Sequence, residues 1–291
     1  MRKPNFTFHL SLFTLFCFAH LSVFATGQES DVIYYRGQQW WLLARPADAD
    51  SLLSAALAKS LPQERCQSTA NWGGYVGYWS VCGGMLVLDS IWIENLKDGE
   101  CVGATLPKSF IQQVFKAYED KGIVVARWYS GTLRLARGKM IRYVHAGWDR
   151  NYETEMELTV RNGSVVDSIE YHNRIVCEGL DLESLSVQGW DSLQQGFRPI
   201  LNKYPQLQGK ERIYFMVSDF TVDTQGNLID IAKVVCHAQQ DDKLEQQLAL
   251  EFKRYLMSIR PWMVLYINGK YCVSQRGWSM PIRLSELKNE N

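Results

Sequence analysis

The chain has 291 residues, of which 46% are hydrophobic and 21% are charged, and its 31 lysines and arginines balance its 31 aspartates and glutamates. This neutral balance argues against a general nucleic-acid-binding protein, because such a protein needs clustered basic residues to neutralise phosphates. The length suits one large domain or two smaller ones, and the apolar content is sufficient for a core in either case.

The first 25 residues have the pattern of a secretory signal. Arg2 and Lys3 form a charged start, the stretch from Phe6 to Phe24 is mostly apolar, and small residues surround the boundary after Ala25. We therefore predict cleavage after Ala25 and a periplasmic or secreted location. The alternative is an uncleaved segment that anchors the protein in the membrane, since the apolar run is long enough to span one.

Six cysteines follow the signal, and an even number in an exported protein permits disulfides. Their spacing does not select a connectivity, and buried free thiols are an open alternative. No two cysteines form a Cys-x-x-Cys pair, which argues against a zinc ribbon or a thioredoxin-type site. We predict no metal site and no cofactor. The six are Cys66, Cys82, Cys101, Cys177, Cys236 and Cys272.

Residues 31–177 are predicted to form a β-rich, mostly antiparallel α+β domain. Strand-like runs alternate with turn signals, of which Gly83-Gly84 and Asn162-Gly163 are the strongest, and Pro107 begins a helix with an apolar stripe. This region also resembles an uncharacterised family of bacterial proteins, a likeness that implies a real domain but no activity. The matching elements are Ser68–Tyr75, Met85–Ile93, Trp128–Gly131, Gly138 and Tyr143.

Residues 178–205 are mixed and polar, which predicts a connector, and residues 206–284 are predicted to form a second, small α+β domain. Two strands joined by a turn at Asp223–Asn227 precede a helix with one apolar stripe, which Pro261 ends. A third strand, its short hairpin extension and a last edge segment follow. The predicted order is β-β-α-β over Ile213–Val222, Leu228–Val235, Asp242–Ile259 and Met263–Ile267, extended by Lys270–Val273 and Trp278–Leu284.

Three motifs of this tail carry a resemblance to the C-terminal domain of TonB. They are Arg260-Pro261-Trp262, Asn268-Gly269-Lys270 and Met280-Pro281-Ile282. The resemblance implies a small sheet backed by a helix that docks a β-strand of another protein. Cys236–Gln239 stand where the family often has a Ser-Ser-Gly-like stretch, and no proline-rich spacer precedes the tail. The likeness is therefore to the terminal domain alone.

Our leading hypothesis is a non-enzymatic binding or adaptor protein of the bacterial envelope. An exposed sheet edge offers unpaired N–H and C=O groups to an extended segment of another protein. We predict that Arg260, Trp262, Tyr266 and Lys270 lie near this contact, and we predict no nucleic-acid partner. In the alternative, the segment Trp278–Leu284 or the first domain covers the edge.

Two other hypotheses stay open. The first is a hydrolase whose cleft lies near His145, since a histidine beside Asp149, Glu153 or Glu155 can act as a general base. The sequence also permits a strand-end histidine beside ordinary loop acids, so no catalytic residue is assigned. The second is a glycan- or peptidoglycan-binding protein with exposed tryptophan rings, against the alternative that these rings fill a core. The relevant tryptophans are Trp40, Trp41, Trp72, Trp79, Trp92 and Trp128.

Overall fold

The computed structural model describes residues 27–66 and 68–284. The predicted signal, with its cleavage site or anchor, lies outside the described residues. The described chain is rich in strand, its sheets are mostly antiparallel, and four α-helices pack against them, so the predicted α+β class is confirmed. No helix in these two ranges is long and apolar enough to cross a membrane.

A large sheet of ten strands forms the first part of the molecule. The strands are β1 (Asp31–Tyr35), β2 (Gln38–Leu42), β3 (Val76–Cys82), β4 (Met85–Lys97), β5 (Glu100–Thr105), β6 (Glu119–Asp120), β7 (Ile123–Val125), β8 (Gly131–Tyr143), β9 (Arg150–Arg161) and β10 (Ser164–His172). The strand order is β10-β9-β8-β2-β1-β3-β4-β7-β6, with β5 on β4, and a pairing of Ser164 with Met85 joins β10 to β4 in a ring.

The predicted turns of this sheet are confirmed. Asn162 and Gly163 both have positive φ, as the tightest hairpins require, and they join β9 to β10. Gly83 and Gly84 do the same between β3 and β4. Two helices, α1 (Ser51–Ser60) and α2 (Lys108–Val114), contribute Leu53, Leu57 and Ile111 to the apolar core of the sheet.

Cys66 and Cys101 form a disulfide that ties the loop after α1 to β5. Because the bridge closes a loop with a sequence separation of 35 residues, it restricts the unfolded chain substantially. We expect the double substitution C66S/C101S to lower the free energy of unfolding by about 3 kcal/mol in urea denaturation. Cys82 is exposed and unbridged, so C82S is the matched control and should change stability by less than about 0.5 kcal/mol. Equal effects of the two changes would contradict the prediction.

The second part has two three-stranded sheets. The elements are β11 (Arg174–Cys177), α3 (Val187–Leu201), β12 (Arg212–Val222), β13 (Leu228–His237), α4 (Asp242–Ser258), β14 (Val264–Ile267), β15 (Lys270–Cys272) and β16 (Gly277–Arg283). One sheet has the order β13-β12-β16 and the other β11-β14-β15, and both are antiparallel. Two helices, α3 and α4, pack on the sheet β13-β12-β16.

The prediction that Met263–Ile267 supplies the third strand of the tail sheet is wrong in its pairing. Val264–Ile267 forms β14, which pairs with β11 and β15, whereas Gly277–Arg283 forms β16 and pairs with β12 over its whole length. The reason is burial. Met280 and Ile282 alternate onto the same face as Phe215, where they complete the core under the helices.

Residues 178–205 do more than connect. The helix α3 begins at a serine cap, Ser186, whose hydroxyl accepts a hydrogen bond from Gly189 N at 3.1 Å. Leu193, Phe197 and Leu201 follow at four-residue steps and are buried in the second core. Most of the buried apolar side chains form two clusters, one drawn from residues 33–160 and the other from residues 182–284.

Candidate functional site

The sheet β13-β12-β16 is backed by α4. Asp241 caps this helix by accepting a hydrogen bond from Leu244 N at 3.0 Å. The apolar side chains of α4 face the sheet. Among them, the ring of Phe252 stacks on that of Phe215 with centroids 4.1 Å apart. Phe197 of α3 meets both rings edge to face. The outer strands of this sheet are β13 and β16, and we call the free side of each a rim.

The rim formed by β16 is a poor acceptor of another strand. Leu284 N donates to Glu211 O on the side of β12, so odd-numbered residues of β16 direct their N–H groups away from β12. Of these, Pro281 has no N–H, and Arg283 N already donates to Gln194 Oε1 of α3 at 3.2 Å. The alternative that Trp278–Leu284 covers an edge describes the side of β12 that lies opposite β13, where β16 pairs with it.

The rim formed by β13 is open among the residues that the structure describes, since its one paired strand is β12. In β13 the N–H and C=O groups of alternate residues bond to β12. The N–H and C=O groups of the four residues between them point away from β12. Side chains of both signs flank the rim: Asp230 binds Lys253 of α4 at 2.6 Å, and Lys233 is exposed. The four outward residues are Asp230, Ala232, Val234 and Cys236, of which Cys236 is buried and the other three are at least partly exposed.

The surface beside this rim is partly apolar. Ile229, at the start of β13, is 54% exposed. Tyr214 and Met216 of β12 point away from the helices and are exposed, and each lies opposite a residue of β13. An added strand would therefore find backbone partners on its edge and apolar side chains beside it.

Trp262 and Arg260 lie where the chain leaves α4, at the turn between β12 and β13. The indole of Trp262 is 1% exposed, packs on Phe220 and donates to Leu256 O at 3.3 Å, so this side chain is a core residue. Its backbone N donates to Gly226 O of the turn at 2.9 Å. Arg260 is exposed, and its charge helps Asn227 to lower the pKa of Asp223 in the same turn.

Tyr266 and Lys270 lie on the other small sheet. The ring of Tyr266 is half-buried between the guanidinium of Arg174, at 4.5 Å from its centroid, and the ring of Tyr271, at 5.1 Å. Lys270 opens β15 and is exposed. The structure thus brings Arg260 to the end of the β13 rim and separates it from Tyr266 and Lys270 by a change of sheet. Contact of these residues with a partner stays a prediction.

The acids near His145 are engaged elsewhere. His145 Nδ1 lies 3.0 Å from Tyr143 Oη. Asp149 binds Arg142 at 2.6 Å, and Glu153 accepts a hydrogen bond from Lys139 N. Glu155 is buried, where it accepts hydrogen bonds from Asn151 and Tyr152, and burial raises its pKa. These acids therefore do not converge on the histidine in the structure, in contrast to the hydrolase hypothesis.

A different acid, Glu183, lines the same cavity as His145, which has a volume of about 570 Å³ and lies between the two parts of the molecule. Burial, and then the charge of Asp181, raise the pKa of Glu183, whose carboxylate accepts hydrogen bonds from the His145 backbone and from Gln275. Ser274 donates to Asp181, and its carbonyl accepts a hydrogen bond from Arg142. These contacts hold the second part against the β8–β9 loop, which is a structural use of the acids.

The predicted tryptophan platform is divided between core and surface. Trp40 and Trp79 are buried, and Trp128 packs between Phe115 and Tyr118. Trp41 and Trp72 are 40% and 61% exposed, and they lie on different elements. Trp92 is half-buried. The core alternative therefore holds for most of these rings, whereas the exposed Trp72 lies beside a polar cluster that was not predicted from the sequence.

This polar cluster centres on Asp31 of β1, which is fully buried. Asp31 accepts hydrogen bonds from Gly77 N at 3.0 Å and from Trp79 Nε1 at 2.9 Å, and Arg45 Nε lies 4.0 Å from its carboxylate. The guanidinium of Arg45 also donates to Asn71 Oδ1 at 2.6 Å. Burial raises the pKa of Asp31 to about 7, more than these partners lower it.

Two glycines make room for this ion pair. A Cβ at Gly73 would lie 2.4 Å from Arg45 Nη1, and a Cβ at Gly77 would lie 2.6 Å from Asp31 Oδ2. The glycine-rich run after Trp72 is therefore a close approach of backbone to buried charge. The sequence did carry a signal for this site, because glycines inside a strand-like run indicate that another group approaches the backbone closely. It did not show that the approaching groups are Asp31 and Arg45.

Within the described ranges, no group of three or more histidine, cysteine or acidic side chains is placed to hold a metal ion. No protein family, curated protein or solved structure matches this chain.

Proposed function

We propose that this protein is an exported envelope adaptor that binds an extended segment of another protein by strand addition along β13. The observation that carries the proposal is the open rim of β13, on a sheet whose other rim is obstructed by Pro281 and by the contact of Arg283 with α3. Strand addition needs a row of unpaired backbone groups, and this rim supplies them over three alternate residues that are at least partly exposed, Asp230, Ala232 and Val234.

The resemblance to the TonB C-terminal domain supports the same function. It implies a helix-backed sheet that accepts a foreign strand, and α4 lies against β13 in the required way. We propose that the incoming segment pairs with Ala232 and Val234, with Lys233 and the Asp230–Lys253 pair on either side. Arg260 contacts the segment at the end of the rim near the turn. In this proposal Trp262 holds the turn in place from the core.

Backbone exchange tests the rim before any partner is known. In the free protein, the amides of Ala232 and Val234 should exchange faster with deuterium than those of Lys233 and Val235, which bond to β12. The measurement is residue-resolved hydrogen exchange by NMR. Equal protection at all four amides would mean that the rim is already paired, and the proposal would then fail.

Site-specific crosslinking tests the partner. A photoreactive residue at Lys233 should capture a protein from envelope extract, and the crosslinked segment, added as a peptide, should slow exchange at Ala232 and Val234. The matched control is Leu250 on α4, which is 55% exposed but faces away from the sheet. Capture that is equal at Lys233 and Leu250, or a peptide that leaves both amides unprotected, would contradict strand addition.

A further inference from the structure

A cleft of about 480 Å³ opens beside the polar cluster of the first part, far along the chain from β13. Its volume lies within the range of about 300–1,000 Å³ that is usual for small-molecule sites. Residues from the 3-10 helix after β2 and from the Trp72–Tyr75 run meet there with the β8–β9 loop. The lining includes Arg45, Asp48, Arg65, Trp72, Tyr75 and Trp148.

One wall of the cleft is an aromatic ring. Trp72 is 61% exposed, which is unusual for so large an apolar side chain. Trp148 is half-buried in the same cleft and donates to Glu29 O at 3.4 Å. A free flat ring beside polar groups suits a ligand that has both an apolar face and a polar edge.

The other wall offers donors and acceptors together. The Asp48 carboxylate accepts hydrogen bonds from Tyr75 Oη at 3.0 Å and from Ser54 Oγ at 3.1 Å, and it is held in place by both. Arg45 is nine-tenths buried, and its Nε has no hydrogen-bond partner among the described residues. The buried Nε of Arg65 is in the same situation. Arg45 Nε faces the Asp31 carboxylate at 4.0 Å, and both arginines line the cleft, where the terminal nitrogens of a guanidinium group carry further N–H donors.

We propose that this cleft binds a saccharide, whose ring stacks on Trp72 and whose hydroxyl groups meet Asp48 and the arginines. A sugar hydroxyl donates and accepts at once, which matches a lining that holds a carboxylate beside guanidinium groups. A phosphate-bearing ligand fits less well, because Asp31 faces Arg45 and Asp48 lies in the same wall, so the excess of positive charge is small.

The test uses two soluble trisaccharides, cellotriose and triacetylchitotriose, with saturation-transfer NMR to detect binding and calorimetry to measure Kd. At least one of them should bind the full chain. W72A should raise its Kd about tenfold, the order of one lost aromatic contact. The matched control is W41A, which removes a tryptophan that is 40% exposed on β2 and outside the cleft, and it should leave Kd unchanged.

D48N is the second variant. It keeps the shape of the side chain but removes the carboxylate, so it should also weaken binding while circular dichroism shows an intact fold. The proposal is overturned if neither trisaccharide binds the unmodified protein, or if W41A weakens binding as much as W72A does. Because the rim of β13 lies on the other core, crosslinking at Lys233 should be the same in W72A as in the unmodified protein, so the two proposals fail separately.

Discussion

Replacing Phe252 by alanine is expected to lower the free energy of unfolding by about 3–5 kcal/mol. The ring of Phe252 is buried at the centre of the second core, stacked on Phe215 and 4.9 Å from the ring centroid of Phe197. Truncation leaves a cavity between α3, α4 and the sheet, which these three elements fill only in part. Urea denaturation followed by circular dichroism measures the change.

Leu250 provides the control for F252A. It lies two residues away on the same helix but is exposed, so L250A should change stability by less than about 0.5 kcal/mol. A similar loss in the two variants would show that α4 does not pack on the sheet through Phe252. It would also remove the support on which the rim of β13 depends, since an unsupported hairpin is only marginally stable in water.

The helix α4 and the hairpins were predictable because local rules decide them. Leu244, Leu248 and Phe252 repeat at four-residue steps beside a capping aspartate, and Asn162-Gly163 selects its turn through backbone conformation alone. Such signals lie within a few residues of the structure that they specify. They therefore needed no knowledge of what the element packs against.

The pairing of the last strands was not predictable in the same way. Val264–Ile267 and Gly277–Arg283 are both short and partly apolar, and the choice of neighbour depends on which face of a distant sheet is still uncovered. Only in three dimensions does β16 bring Met280 and Ile282 over Phe215, leaving β14 to join β11. The free rim of β13 is a consequence of that choice.

The polar cluster escaped the sequence analysis for a related reason. Asp31, Arg45 and Asn71 are separated by 14 and 26 residues and belong to no motif that joins them. What brings them together is the parallel pairing of β1 with β3, which places Asp31 against the Gly77–Trp79 stretch. An aspartate at the first position of a strand gives no hint that its carboxylate will be fully buried.

The buried carboxylate of Asp31 should make stability depend on pH in a specific sense. Its pKa is about 7 in the folded protein against an ordinary value of 3.8, so between these two pH values the folded state holds a proton that the unfolded chain has released. Binding of this proton therefore adds to the free energy of unfolding. The addition is complete below about pH 4 and is lost as the pH rises to about 7. Its full size is on the order of 4 kcal/mol.

The substitution D31N isolates this contribution, because asparagine fills the same space and does not titrate. Urea denaturation at pH 4, 5.5, 7 and 8 should show the unmodified protein losing stability relative to D31N up to about pH 7, with a constant difference above it. D230N is the control of opposite sign. Lys253 lowers the pKa of Asp230, so that carboxylate stabilises the fold above about pH 4 and loses its effect only in more acidic solution. A stability difference between the unmodified protein and D31N that stays constant from pH 4 to 8 would mean that Arg45 keeps Asp31 ionised, and that the carboxylate and guanidinium form a full ion pair under the cleft.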